Sequence, residues 1–248
     1  MAKKRIYNGV NITVAKNYEE LSQLAADILI KKIKSGKKIN LLIPTGQTPV
    51  RLYEILSGQP KGIFKKSIFF NFDEYCNDKR QLIPKSNPVS FRKFMDKHLF
   101  GKIGPVKSYF PGTKNIPKPG SYDKQIEKFG GIDLCINALG VDGHTFGFNF
   151  PGSDFDSVTR LVEINQLTRK INQLKSGYKT PRYAITTGIK TGMASKQVLF
   201  LVSGKSKAPI LKKIIKAKIP DRKIPATILK LHQNCIWVID KEAASELN

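Results

Sequence analysis

Ile39-Asn40-Leu41-Leu42-Ile43-Pro44-Thr45-Gly46-Gln47-Thr48-Pro49 is the stretch whose reading decides the fold. Residues 39–43 form a short apolar run too brief for a buried helix, and such a run without polar alternation suits a strand covered on both faces. PTGQTP follows as a turn, and Leu52, Ile55 and Leu56 then recur at helical spacing. Strand, turn and helix in that order predict a parallel sheet. Upstream, Tyr18, Leu21, Leu24, Ala25, Ile28 and Leu29 predict an amphipathic helix over 18–34 that ends near Gly36. Downstream, apolar runs at 67–72, 132–139, 198–202 and 235–239 read as further strands, with helical stretches around 88–100, 122–129, 206–218 and 241–247. The expected fold is α/β: three layers, Rossmann-like, with a mostly parallel sheet and helices on both faces.

At 248 residues the chain suits one α/β domain over 1–248, with room for a small lid around 150–180. Hydrophobic residues at 40% are too abundant for a disordered chain. No apolar run approaches the roughly 20 residues of a membrane span, and the N-terminal cations lack an apolar segment behind them, so a soluble, cytoplasmic protein is expected. Cys76, Cys135 and Cys235 are scattered and odd in number, which argues against a disulfide framework. His98, His144 and His232 are equally far apart, and no metal site is expected.

The formal net charge of +24 raises the question of nucleic acid. Only eight of the 43 cations are arginine (Arg5, Arg51, Arg80, Arg92, Arg160, Arg169, Arg182 and Arg222). Base and phosphate readers favour the planar arginine fork, and the lysines here are spread along the chain, so a solvated basic surface is the expectation. Neither a specific nucleic acid nor a membrane is expected as a partner.

In open parallel sheets ligands bind outside the carboxyl ends of the strands. Three predicted strands end in turns able to do chemistry. PTGQTP leads into a helix whose first N–H groups lack intrahelical partners, and Gly46 with the Thr45 and Thr48 hydroxyls suits a phosphate, although an ordinary helix start with Pro49 is the alternative. Asp73 and Glu74 follow Ile68-Phe69-Phe70-Asn71-Phe72, where partial burial would raise a carboxyl pKa toward that of a useful base. Asp142-Gly143-His144-Thr145 places a carboxylate two residues from an imidazole that it could orient.

Together these turns resemble the glucosamine-6-phosphate deaminase and 6-phosphogluconolactonase superfamily along most of the chain. PTGQTPVRLYEIL resembles the deaminase phosphate loop, FFNFDEY its catalytic-aspartate strand, and NPVSFRKFMDKHLF the helix after it. GIDLCINALGVDGHTFGFNFPGS is similar to the strand and catalytic turn, YAITTGIKTGMASKQVLFLVSGKSKA to the segment with the phosphate-binding lysine, and PATILKLHQNCIWVIDKEAA to the final strand. Asp73-Glu74-Tyr75 and 90–95 follow the deaminase branch, whereas Asp142–Thr145 with Phe150-Pro151-Gly152 also echo the lactonases.

The resemblance implies a cofactor-independent aldose–ketose isomerisation and deamination of an amino-sugar 6-phosphate, glucosamine 6-phosphate giving fructose 6-phosphate and ammonia. Asp73 would move the C2 proton, His144 would open the sugar ring, and Asp142 would support His144 or the substrate. Thr45, Gly46, Gln47, Thr48, Gly140 and Lys207 would bind the sugar phosphate. The chain would be a monomer or a homo-oligomer. Ser153 and Arg160 lie where allosteric relatives bind an effector. Three positions depart from the family pattern. Phe150 replaces the glutamate that tunes the histidine, unless Asn149 takes that place across an extra residue; Gln47 replaces a loop glycine; and the arginine expected near 172–175 has only Lys175 close by. A lactone hydrolase, or a sugar-phosphate-binding protein of weak activity, are therefore the alternative readings.

Overall fold

The computed structural model describes residues 2–247; Met1 and Asn248 of the single unit expected over 1–248 lie outside them. In chain order the elements are β1 (Lys3–Tyr7), β2 (Val10–Ala15), α1 (Tyr18–Ile33), β3 (Ile39–Ile43), α2 (Val50–Ser57), β4 (Ser67–Asn71), β5 (Asp73–Cys76), α3 (Phe91–Met95), α4 (Gly101–Ile103), β6 (Lys107–Tyr109), α5 (Ser121–Lys128) and β7 (Leu134–Ala138). β8 (Arg160–Glu163), α6 (Gln166–Ser176), β9 (Tyr183–Thr186), α7 (Ile189–Met193), β10 (Val198–Val202), α8 (Ala208–Lys216) and β11 (Cys235–Asp240) follow.

Among the described residues eight strands form one sheet in the order β1-β2-β11-β10-β7-β3-β4-β6. Every pairing is parallel except the β1–β2 hairpin. The alternation of strand residues explains the unbroken apolar runs. Leu41, Ile43, Phe69, Leu134, Ile136, Leu199 and Leu201 enter one core with α1 and α2, while Leu42, Phe70, Cys135, Val198 and Phe200 enter another with α5 and α8. Both faces are thus covered, as expected for the α/β architecture. No helix among the described residues is long and apolar enough to cross a membrane.

The strand order reverses between β3 and β7. From β3 the chain winds outward through β4 to β6, and from β7 it winds the other way through β10 to β11. That switch point opens a crevice at the strand ends. A second sheet, β5-β9-β8, is antiparallel and stands beside the crevice.

Two expectations differ from the structure. Residues 241–247 form successive turns and no helix: Asp240 caps the segment by accepting the Ala243 N–H at 2.8 Å, but only one i+4 backbone bond follows, from the Ala244 N–H to the Asp240 carbonyl, before the bonds shorten to i+3. The helical stretch expected around 88–100 runs over 91–103 and is irregular: α3 passes through a π-helical turn at Asp96–Phe100 into α4.

Candidate active site

The strand ends enclose a cavity of about 400 Å³ at the β3–β7 crevice. Its wall includes Thr45, Gly46, Gln47 and Thr48 after β3, Asp73 at the start of β5, Gly140 and His144 after β7, and Lys207 after β10. Asp142 reaches the site through His144. All nine site residues singled out in the sequence are therefore brought together.

Gly46 adopts φ +103°, a left-handed conformation that keeps the loop free of a side chain on that side. α2 starts at Val50 without a side-chain cap. The Tyr18 hydroxyl donates to the Gln47 carbonyl at 2.9 Å and accepts from the Arg51 N–H at 3.0 Å. One phenol thereby fastens both ends of the loop.

The adjacent carboxylates Asp73 and Glu74 point into different surroundings. Glu74 is fully buried and turned toward α3, where it accepts from the Ser90 hydroxyl (2.8 Å), the Phe91 N–H (2.9 Å), the Arg92 N–H (3.1 Å) and Arg92 Nε (3.0 Å). It is a structural acid. Asp73 lines the cavity instead, 5% exposed, and among the described residues no cation pairs with it. Burial pushes its carboxyl well above the ordinary range and the neighbouring Glu74 charge adds to that, with the Thr186 hydroxyl opposing both. Thr186 is the register partner of Asp73 across β5 and β9.

After β7 the chain turns so tightly that a Cβ on Gly140 would lie 2.1 Å from His144 Nδ1. Glycine at 140 is what lets the imidazole fold back against the strand end. Asp142 Oδ1 then holds Nδ1 at 2.6 Å and the His144 N–H at 3.1 Å, while Asn165 Nδ2 donates to Oδ2 at 2.8 Å. A carboxylate only accepts, so Nδ1 carries the proton and Nε2 is left for the cavity. Burial resists ionisation of Asp142, but the hydrogen bonds from His144 and Asn165 outweigh it and hold the carboxyl well below its usual range.

Phe150 does face the histidine, its ring centroid 5.3 Å away in an edge-on contact. Asn149 is fully buried on the other side, its amide donating to the carbonyls of Thr145, Phe146 and Thr187. The substituent beside His144 is thus an aromatic ring. Arg160 is turned inward onto Asn149 Oδ1 at 2.9 Å.

Lys207 sits largely buried, and burial pushes its ammonium down to about 8, with the charge of Lys175 acting the same way and that of Asp142 opposing. Both lysines line the cavity, and their charges are felt by one another, a setting for a dianion. Lys175 arrives on α6, which also brings Thr168, Ile171 and Asn172 to the wall. Tyr75 and Phe91 complete it, and Tyr75 accepts from Asn172 Nδ2 at 3.0 Å. Sequence reasoning did not assign roles to Asn165, Asn172 or Tyr75. Asn165 alone left a readable signal, an amide three residues before Thr168 at a helix start.

A sequence model of glucosamine-6-phosphate isomerases/6-phosphogluconolactonase matches residues 14–237. The chain is 36% identical over 246 residues to a glucosamine-6-phosphate deaminase of Thermoanaerobacter sp. (strain X514), covering 95% of this chain and 94% of the relative. It is 37% identical to the glucosamine-6-phosphate deaminase of Mycoplasma mycoides subsp. mycoides SC, over 96% and 98% of the two chains. Among solved structures, a monomeric glucosamine-6-phosphate deaminase superposes with a TM-score of 0.86 at 32% identity, covering 95% of this chain and 99% of the other. The 6-phosphogluconolactonase of Trypanosoma cruzi shares the fold, with a TM-score of 0.75 at 19% identity over 96% of each chain.

Proposed function

Because the chain belongs to the glucosamine-6-phosphate isomerase/6-phosphogluconolactonase family, we propose that it converts glucosamine 6-phosphate and water into fructose 6-phosphate and ammonia. The observation that carries this reading is the buried, unpaired Asp73 carboxylate on the cavity wall. Removing a proton from carbon needs a base of raised basicity, and burial supplies it. His144 Nε2 would take the proton of the anomeric hydroxyl and return it to the ring oxygen, opening the sugar. Asp73 would then remove the C2 proton to leave an enolamine and deliver the proton to C1. Water would add to the resulting C2 imine, and ammonia would leave behind the C2 ketone. The isomerisation only relocates protons, the one held on Asp73 being open to exchange with solvent, and involves no net oxidation, so no redox cofactor is called for.

The 44–48 loop, Lys207 and Lys175 would hold the phosphate and fix the sugar against Asp73. Residues 150–180, which contain α6, would close over the bound sugar as a lid. The free Cys76, Cys135 and Cys235 support a cytoplasmic setting, with a small sugar phosphate as the partner rather than nucleic acid or membrane.

One observation favours a second reading: the Asp142–His144 pair would also activate water against a sugar lactone. That chemistry needs no carbon base and would leave the costly burial of Asp73 without a task. Ammonia release from glucosamine 6-phosphate, run beside hydrolysis of 6-phosphogluconolactone, separates the two. Release of ammonia with no lactone hydrolysis is expected. Absence of both, with retained sugar-phosphate binding, would instead favour a binding protein in which Phe150 has weakened the histidine.

Two expectations attach to Lys207. Lys207→Ala should raise KM for the phosphorylated sugar roughly 10- to 150-fold, since a hydrogen bond to a charged group is typically worth about 1.5 to 3 kcal/mol. Binding of the unphosphorylated sugar should barely change, and equal losses for both would assign the lysine to structure. The depressed pKa also sets a pH limit. As pH rises through about 8 the empty site loses the Lys207 charge, so KM should climb on the alkaline side, although the phosphate itself is already dianionic above roughly pH 6. A KM that stays flat from pH 7 to 9.5 would count against Lys207 as the phosphate cation.

A further inference from the structure

The start of α6 carries one side chain that faces two ways. Asn165 is the N-cap of the helix, its Oδ1 accepting from the Thr168 N–H at 2.8 Å. Its Nδ2 donates at 2.8 Å to Asp142 Oδ2, while Asp142 Oδ1 holds the His144 ring. One amide therefore joins the proton-handling pair after β7 to the helix that forms the other wall. The hold on α6 is otherwise thin. Thr168 is its one buried residue, and Leu167 and Leu174 are 50% and 76% exposed, so no apolar face clamps the helix. Its second polar tie to the rest of the site is Asn172 to the Tyr75 hydroxyl.

We propose that Asn165 is a positioning residue that couples the seating of α6 to the orientation of Asp142 and His144. With α6 seated, Nδ2 occupies Oδ2 and leaves Oδ1 aimed at the imidazole. With α6 displaced, Asp142 loses the donor that stops its carboxylate from rotating, and the imidazole loses a fixed partner. Bringing Thr168, Asn172 and Lys175 to the sugar and aligning the histidine thus become one event. The amide is suited to this because it both accepts and donates. Serine would cap as well but is too short to reach Asp142 at the same time, and aspartate would cap while offering Asp142 a like charge. The catalytic part of the proposal rests on the deaminase reading; the coupling itself does not.

Amide hydrogen exchange tests the coupling without turnover. Asp142→Ala changes no residue of α6, yet it should speed exchange across 166–176 about tenfold and leave 18–33 of α1 unchanged. Unchanged exchange in α6 overturns the proposal. If Asp142→Ala loosens α1 as well, Asn165→Ser decides, because it keeps the cap and removes only the donor. In that variant α6 should again exchange about tenfold faster, and kcat for ammonia release should fall about tenfold, more than KM rises. Asn165→Asp should lose more kcat than Asn165→Ser. Parent-like exchange or parent-like kcat in Asn165→Ser would reduce Asn165 to a helix cap and overturn the proposal. A parent protein that releases no ammonia would fail the deaminase reading alone, with the exchange result still deciding the coupling.

Discussion

Asp73→Asn is expected to lower ammonia release by about 10³-fold, within the 10²- to 10⁴-fold range that a positioned base contributes, while sugar-phosphate affinity stays within about tenfold. The amide keeps the shape of the carboxylate but cannot take the C2 proton. Solvent deuterium should enter the product with the parent protein and not with the variant; undiminished incorporation would remove Asp73 from the mechanism. The same substitution should stabilise the fold at neutral pH. Burial and the Glu74 charge raise the native pKa of Asp73 above its unfolded value, so the native state holds its proton more tightly. The stability linked to that proton is full below the unfolded pKa and is lost as pH rises through the native one. Asparagine has no proton to lose. Urea unfolding should therefore show the variant's advantage growing from acid toward neutral pH, and a parent as stable as the variant at pH 7 would contradict the cost assigned to this carboxylate.

Much of this site was legible because it hangs on strands buried on both faces. At β3 and β10 the apolar runs 39–43 and 198–202 coincide with the strands, since neither face could be polar. The carboxyl end of β3 then located PTGQTP, whereas Lys207, after β10, was marked by the family resemblance alone. β5, β8 and β9 were not legible as strands: each is four residues long, and Asp73-Glu74-Tyr75-Cys76 has the composition of a turn. The first strand of the β1–β2 hairpin carries no apolar run to mark it, because Lys3, Lys4, Arg5 and Ile6 all face solvent. Asn8-Gly9, with φ +47° and +78°, was the turn signal that would have found it. α6 escaped a functional reading for a physical reason. Leu167, Ile171 and Leu174 do recur at helical spacing, but Thr168, Asn172 and Lys175, which reach the cavity, are polar, and apolar periodicity does not mark them. Asp73 and Glu74 are adjacent in the sequence and alike in chemistry, and only their different surroundings separate the proposed base from the structural acid.

That separation makes Glu74→Ala the largest expected loss of stability, about 3 to 5 kcal/mol, the usual cost of breaking a buried charged pair by removing one partner. Glu74 is fully buried, and its two oxygens take the Ser90 hydroxyl, the Phe91 and Arg92 N–H groups, the Tyr75 N–H and Arg92 Nε. Alanine would leave those donors without the acceptor that now joins β5 to the start of α3. The apolar gap adds to the loss, because Tyr75 and Phe91, 4.4 Å apart between ring centroids, pack above the same junction. In a chain of this length each kcal/mol moves Tm by roughly 2 to 4 °C, so a fall of about 10 °C should be seen by calorimetry. Glu74→Gln should fall between alanine and parent, because its amide group turns one acceptor into a donor facing other donors. Arg92→Ala should cost less than either, since Arg92 is partly exposed and its loss leaves Glu74 with the Ser90 and backbone donors. If Glu74→Ala melted within 2 °C of the parent, the carboxylate would be a bystander. The hydrogen bonds at Ser90, Phe91 and Arg92 would then not be what sets Asp73 against the cavity.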